Sequence, residues 1–299
     1  MTSPPRTILL VDGHSLAFRA FYALPPTFRD TQGRPINLIY GFLMMLFRLL
    51  ESEAPDAVAV VFDLDHSFRE EMYPAYKEGR QTIDPAVAEQ VERLRPLLEA
   101  LDVPLYTAQG YEADDVLATL TRQIIERSDA HVLIVSGDRD MFALLHPRVQ
   151  LLYPTRSLQQ AERYTPERLY ERWGIRPEQV AHFKALVGDP SDNIPGVRGI
   201  GEKTAARLLQ RFPTLDAIYA HLDDCSPAVR RKLEAGRDMA LLSLRLARLV
   251  DDVPTIEYNF TRLGLRYDPA QVEAQFAVLG SQSLLDALPP PRRANGVEG

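Results

Sequence analysis

The sequence predicts an α/β fold: a mostly parallel sheet flanked by helices, followed by a separate helical domain. Two observations carry this. Short β-branched and apolar runs alternate with helical patterns through the first half of the chain, which is the mark of βαβ units. After about residue 165 such runs disappear, and short helices punctuated by Pro and Gly take over.

In chain order, TILLV (7–11) and AVAVVF (57–62) read as strands, each running into an Asp, with the helical segment YGFLMMLFRLLESE between them. Met44, Met45 and the stripe from Phe42 to Phe47 in that helix are expected to pack in the core. Val87, Val91, Leu94, Leu98 and Leu101 recur at helical spacing, VPLYTA suits a strand, and Val116 to Ile125 suit a helix. HVLIVS is a further strand that runs straight into GDRD. The second half offers TPERLYERWG, RPEQVAHFKALVGD, GEKTAARLLQRF and TLDAIYAHL as helices, and LPPPRRANGVEG has the composition of a tail or linker. The expected divisions are 1–172, 173–287 and 288–299. There is no internal repeat.

With 299 residues, 45% hydrophobic and 25% charged, the chain is expected to be soluble and globular with a sizeable core. The single cysteine, Cys225, excludes an intrachain disulfide and a cysteine-rich zinc site. The apolar run before Asp12 has only five residues, too short for a signal-peptide core or a membrane span, so a cytoplasmic location without a membrane partner is expected. A net charge of −7 argues at first sight against a nucleic-acid partner. If nine of the 41 acids belong to one site, however, 32 remain against 34 Lys and Arg, and the rest of the surface is close to neutral.

Those nine acids can be placed. Asp12, Asp63, Asp138 and Asp140 follow three of the strands, and ligand sites in open α/β sheets lie beyond the carboxyl ends of strands. Glu112 and Asp115, in GYEADDVLATL, are three apart and share a helical face, with Asp114 turned away from them. Asp189 and Asp192 stand three apart in VGDPSDNIPG. Each alone has an ordinary explanation as a helix cap or turn residue. Gathered in a partly desolvated cleft, they would require protons or bound cations. Oxygen donors without His or Cys select Mg²⁺ or Mn²⁺ over Zn²⁺. Two such ions about 3.5–4 Å apart are the arrangement that clamps the attacking and leaving oxygens of a phosphodiester. The six histidines show no ligand spacing and read as structural or surface residues.

Two other segments read as nucleic-acid contacts. In SFREEMYPAYKEGR, Arg69, Lys77 and Arg80 are interleaved with Tyr73 and Tyr76, a mixture suited to gripping a single strand by phosphate contact and base stacking; a solvated charged helix is the alternative. In GVRGIGEKTAARLL, Gly199 and Gly201 allow a phosphate to approach the backbone before a helix N-terminus, while Arg198 and Lys203 add charge and Thr204 a hydroxyl. Such a contact positions DNA without reading its sequence. A plain glycine turn before a helix is the alternative there.

LLVDGHSLAFRAFYAL, VFDLDHSFREEMYPAYKEGR, GYEADDVLATL, VSGDRDMFALL and GDPSDNIPGVRGIGEKTAARLL resemble, in this order, the motifs of the 5′→3′ exonuclease domain of bacterial DNA polymerase I, within the flap endonuclease family. The resemblance spans roughly residues 7 to 285. It implies a PIN-like (Rossmann-like) nuclease domain with two Mg²⁺ ions, a helical arch or clamp segment, and a helix-hairpin-helix domain that grips duplex DNA and binds K⁺ through backbone carbonyls. All nine acids match its acidic positions. By resemblance Glu112, Asp114, Asp115, Asp138 and Asp140 are direct or one-water-removed ligands, and Asp12, Asp63, Asp189 and Asp192 act partly through waters. Lys77 and Arg80 match residues that steer the scissile phosphate, and Arg19 resembles another phosphate contact, with a surface or core-edge Arg as its alternative.

The implied activity is structure-specific 5′→3′ exonuclease and 5′-flap endonuclease action on branched, nicked or 5′-ended duplex DNA, including RNA-primed DNA, leaving 5′-phosphate and 3′-hydroxyl ends. That places the protein in primer removal and repair at the nucleoid, with a DNA polymerase in cis or in trans. A PIN-like ribonuclease would not need the arch segment or the hairpin, and a non-catalytic DNA-binding scaffold would be expected to have lost carboxylates.

Overall fold

The computed structural model describes residues 6–64, 66–79, 83–155, 160–259, 262 and 264–292. Six strands form one sheet: β1 (Thr7–Asp12), β2 (Ala57–Val61), β3 (Leu105–Tyr106), β4 (His131–Val135), β5 (Val149–Tyr153) and β6 (Glu162–Tyr164). Their order is β3-β2-β1-β4-β5-β6; β1 to β5 run parallel, and β6 returns antiparallel to β5. Around them lie α1 (Gly13–Ala23), α2 (Asn37–Glu53), α3 (Phe68–Met72), α4 (Pro85–Ala100) and α5 (Ala113–Arg127). The helical half holds α6 (Pro166–Trp173), α7 (Val180–Val187), α8 (Glu202–Arg211), α9 (Leu215–Ala220), α10 (Pro227–Ala235) and α11 (Arg237–Ala247), and the chain closes with α12 (Pro269–Ala277) and α13 (Gln282–Asp286).

Residue alternation in β1 shows why these runs become inner strands. Ile8 and Leu10 point into one apolar core and Leu9 and Val11 into the other, so both faces of the sheet are covered. Phe42, Leu43 and Leu46 of α2 pack with Leu94 of α4 on one side; Val116, Leu117 and Leu120 of α5 pack on the other. This second core continues into the helical half through Leu169, Ile175, Leu186 and Leu209. Asp84 caps α4 by accepting from the Ala86 N–H, and Gly174 ends α6 in the left-handed conformation that favours glycine.

The last stretch departs from the expected division. Leu265, Val272, Phe276 and Leu284 belong to the core under α2 and α4, and the Leu265 N–H donates to the Leu101 carbonyl (3.0 Å). The 173–287 segment is therefore not one packing unit, because its end returns to the α/β domain. Its apolar residues pack α12 against α4 and α13 against α2. The expected tail from 293 onward lies outside the described residues. Among the described residues no helix is long and apolar enough to cross a membrane.

Candidate metal centre

Chain order reverses between β1 and β4, and there the carboxyl ends of neighbouring strands diverge and leave a crevice. Its volume is about 600 Å³, and Asp12, Asp63, Glu112, Asp114, Asp138 and Asp192 stand in its walls with Arg19 and Lys77.

Each acid is set by local structure. Asp12, the last residue of β1, caps α1: Oδ1 accepts from the Ser15 N–H (2.9 Å) and Oδ2 from the Ser136 hydroxyl (2.6 Å). Burial pushes its pKa up to about 6, against the opposing pull of Ser136. Asp63 lies just beyond β2, and its Oδ1 accepts from the Ala113 N–H (2.6 Å). Burial would raise its pKa, but its close contact with His14, the hydrogen bond from Ala113 and the charge of Lys77 hold it below the ordinary value. Asp138 follows β4 and caps a 3₁₀ turn (Arg139–Leu144), accepting from the Asp140 N–H (2.9 Å).

Asp114, Asp138 and Asp140 each offer an oxygen, and the three oxygens lie within 4.8 Å of one another. Asp114 is held well above the usual carboxylate range, first by desolvation and then by the charges of Asp138, Asp12, Asp63 and Glu112. This all-oxygen, charge-crowded set fits a hard divalent cation.

Asp140, Asp189 and Glu112 are engaged by cations of the chain itself. Lys184 of α7, buried, pairs with Asp140 and with Asp189 (2.6 Å). Asp189 is pulled below its ordinary pKa by Lys184 and Ser191 despite burial. Glu112 Oε1 accepts from Lys77 Nζ (2.5 Å) and Ser67 (3.2 Å), and Oε2 from Tyr76 (3.1 Å) and Arg69 (3.3 Å). Lys77 has a left-handed backbone (φ 56°), held by its N–H to the Asp192 carbonyl (2.9 Å), while Asn193 Nδ2 donates to the Ala75 carbonyl (2.6 Å). The loop bearing Lys77 is thus tied to the turn bearing Asp189 and Asp192. That turn closes where Gly188 and Gly196 touch; a Cβ on Gly196 (φ 64°) would lie 2.2 Å from the Gly188 nitrogen.

Three expectations need correction. Asp115 is fully buried and does not face the crevice: its oxygens accept from Arg69 (2.7 and 2.8 Å), from the Val250 N–H (2.8 Å) and from the Glu112 N–H (3.1 Å). A carboxylate so saturated has no lone pair directed at a metal. Arg69, 2% exposed, also donates to the Leu246 and Arg248 carbonyls (2.8 and 2.7 Å) and is out of reach of DNA. Tyr76, 5% exposed, turns its hydroxyl to Glu112 and presents no ring face for stacking. His14, read as a structural or surface residue, lines the crevice, and its Nδ1 accepts from the Asp63 N–H (3.0 Å). Tyr73 is half-buried, and Arg80 lies outside the described residues.

Ser15, Ser136 and Lys184 escaped the sequence reading. Ser136 links Asp12 to the Asp138 N–H (3.0 Å), and Ser15 accepts from the Gly137 N–H (2.8 Å), so two acidic loops are clipped together. Their one signal is adjacency to strand-end aspartates. Lys184, one helical turn before Asp189 in a plain apolar helix, had none.

The glycine turn stands apart from this crowding. Arg198, Gly199, Gly201 and Lys203 are exposed and Thr204 is half-buried; Gly199 has φ 84°, and its carbonyl accepts from Lys232 Nζ (2.9 Å). Gly201 caps α8 without any side-chain bond, and a Cβ there would meet nothing within 4 Å. The helix N-terminus is therefore open. Arg19 donates to the Pro154 and Thr155 carbonyls (3.0 and 3.3 Å) at the crevice wall.

The carboxylates thus stand at the switch point of a doubly wound α/β fold, and the open glycine turn stands in the helical half that follows it. The chain belongs to the 5′-3′ exonuclease family: residues 7–174 match the model of its N-terminal resolvase-like domain and residues 175–271 that of its C-terminal SAM fold. DNA polymerase I of Bacillus caldotenax is 40% identical over 289 residues, covering 96% of this chain and 33% of the polymerase. The chain thus spans about a third of the length of the curated relatives it matches. Among solved structures it resembles T5 5′-exonuclease with bound zinc (TM-score 0.66, 25% identity, 94% of this chain and 96% of that one). The T5 D15 flap endonuclease complex with DNA and metal ions shares the fold (TM-score 0.68, 24% identity, 94% and 96% covered).

Proposed function

We propose that the protein is a Mg²⁺-dependent, structure-specific nuclease that cleaves 5′ flaps and degrades DNA 5′→3′ from ends and nicks, RNA-primed ends included. The observation that carries this reading is the convergence of Asp114, Asp138 and Asp140 within 4.8 Å at the sheet's switch point. These three would hold one divalent ion, with Asp12 and Asp63 beside them acting through water, and Asp189 and Asp192 contributing to a second position with Mn²⁺ as a substitute. Bound ions would activate the attacking water and neutralise charge that builds on the phosphate.

The chain's own groups then bind and orient. Lys77, fixed on Glu112, presents its ammonium at the crevice wall to a non-bridging phosphate oxygen, and Arg80 and Arg19 extend that positive edge. Arg198, Lys203, Thr204 and the open N-terminus of α8 hold a duplex phosphate. The resemblance further implies K⁺ on backbone carbonyls of this turn, where Lys232 already occupies the Gly199 oxygen. The similarity to DNA polymerases I about three times as long as this chain supports a polymerase partner, in cis or in trans, and a replication and repair role.

The test is cleavage of a 5′-labelled flap DNA with Mg²⁺, with EDTA, and by Asp138→Ala. Cuts near the junction that require Mg²⁺ and fall by at least about a thousandfold in the variant are expected. A folded protein that binds the flap and never cuts it is a scaffold, and preference for RNA over flap DNA would make it a ribonuclease.

A further inference from the structure

Among the described residues Lys184 is the only buried lysine, 8% exposed, and its ammonium pairs with Asp140 and with Asp189 (2.6 Å) at the same time. Asp140 belongs to the three-carboxylate group beyond β4, whereas Asp189 lies in the turn after α7. An ammonium in contact with both stands between them, where any cation bridging the two carboxylates would also have to stand. Lys184 and a second divalent ion therefore call on the same oxygens. Asp114, by contrast, is surrounded by other carboxylates, and a cation placed there relieves a repulsion without breaking an existing pair.

Lys184 also borders a cavity of about 590 Å³, with Ser191, Glu202 and Trp173 in its wall. A lysine carries its charge on a flexible four-carbon stem, so the ammonium can turn away while α7 stays in place. The cavity offers it open space and, in Glu202, another carboxylate on the wall. Leaving Asp140 and Asp189 does not then strand the charge in an apolar interior, where it would be strongly disfavoured.

We infer that Lys184 is a resident cation at the second metal position, which an incoming divalent ion displaces into this cavity, and that it makes the second ion bind more weakly than the first. The inference rests on the two-ion reading above. The second ion reaches Asp140 and Asp189 only after their pairing with the ammonium is broken, and it then remains near a like charge. At low ion concentration the same ammonium keeps these two carboxylates from repelling each other, which holds the acidic turn of the helical half against the 3₁₀ turn after β4.

The test uses the full chain without DNA. Mn²⁺ is titrated and its free fraction read from the EPR signal, which gives the number of bound ions and their affinities. In parallel, Mg²⁺ is titrated while the emission of Trp173, the only tryptophan in the chain, is followed. Wild type should bind one ion and then a second at least about tenfold more weakly, and Trp173 emission should change with the second ion only, since the displaced ammonium enters the cavity that Trp173 lines. Lys184→Met should tighten the second ion about tenfold, leave the first within about twofold, and abolish the emission change. Lys184→Arg, which restores the charge, should return the second ion to weak binding. Should Lys184→Met fail to fold, wild type decides alone: Trp173 emission that follows the first ion, or neither, overturns the inference. It is equally overturned by two wild-type ions of equal strength, or by a second ion that binds folded Lys184→Met no more tightly than wild type, and in each case the metal reading stands. Folded wild type that binds fewer than two Mn²⁺ removes the two-ion reading, and the inference with it.

Discussion

The two walls of the crevice hold the same side-chain type in opposite states. On one, Glu112 in the wall and Asp115 buried away from the crevice are surrounded by Arg69, Lys77, Tyr76 and backbone N–H groups. On the other, Asp114 faces Asp138, Asp12 and Asp63 without a cation among its governing influences, and its pKa rises. Asp114 and Asp115 are adjacent in sequence, yet about 100° of helical rotation sends one into the protein and the other into the cleft. Asp115, saturated by Arg69 and backbone N–H groups, serves the fold. Asp114, whose charge is unbalanced, is available to a bound cation, and Asp140, which also pairs with Lys184, stands between these two states.

The comparison is broken most severely from the paired wall. Arg69→Met leaves two buried carboxylates without their arginine and orphans the Leu246 and Arg248 carbonyls, and should lower the unfolding free energy by about 3–5 kcal/mol in urea titrations. Asp138→Ala should leave stability near wild type. Equal losses in the two variants would erase the distinction between the walls.

A second effect concerns pH. The Asp12 pKa rises from 3.8 to about 6 on folding, so the folded chain holds this proton more tightly than the unfolded chain. Its contribution to stability is then full below pH 4 and is lost as pH rises through 6, at 1.36 kcal/mol per unit about 3 kcal/mol in all. Asp63 and Asp189, whose pKa values are lowered, act in the reverse sense, stabilising above pH 4 and losing that contribution as pH falls. The Asp12 share is therefore read as the difference between wild type and Asp12→Asn in EDTA across pH 4–7. A pH profile unchanged by the substitution would show that Asp12 is not desolvated.

Smaller still is Asp114→Asn. Removing one of the repelling charges should raise stability in EDTA by about 1 kcal/mol, roughly 2 °C in Tm, and abolish the further Tm increase that millimolar Mg²⁺ gives the wild type. Asp115→Asn should do the opposite in EDTA. At the glycine turn, Gly199→Ala should cost about 1 kcal/mol because φ is 84°, while Gly201→Ala, with φ −98° and open space, should stay within about 0.5 kcal/mol. Gly201→Ala should still weaken flap binding in anisotropy titrations, since its methyl group stands before the α8 N-terminus.

Much of the fold was legible because strand and helix periods are local properties. TILLV, AVAVVF and HVLIVS became β1, β2 and β4, and the aspartates after them reached the same crevice because parallel strands end on one edge. Arg69 and Tyr76 were misread for an equally physical reason. Spacing shows that they are interleaved, but exposure depends on Leu246 and Arg248, some 177 and 179 residues away.

By itself the sequence determined the α/β order, the carboxylate inventory and the glycine turn, since each depends on residue type and short-range spacing. Tertiary structure alone decided which carboxylates are neutralised, because Arg69 reaches Asp115 across the α/β domain and Lys184 reaches Asp140 only where the helical half meets the sheet. Charge compensation falls steeply with distance and grows with desolvation, and neither quantity is written in the chain order.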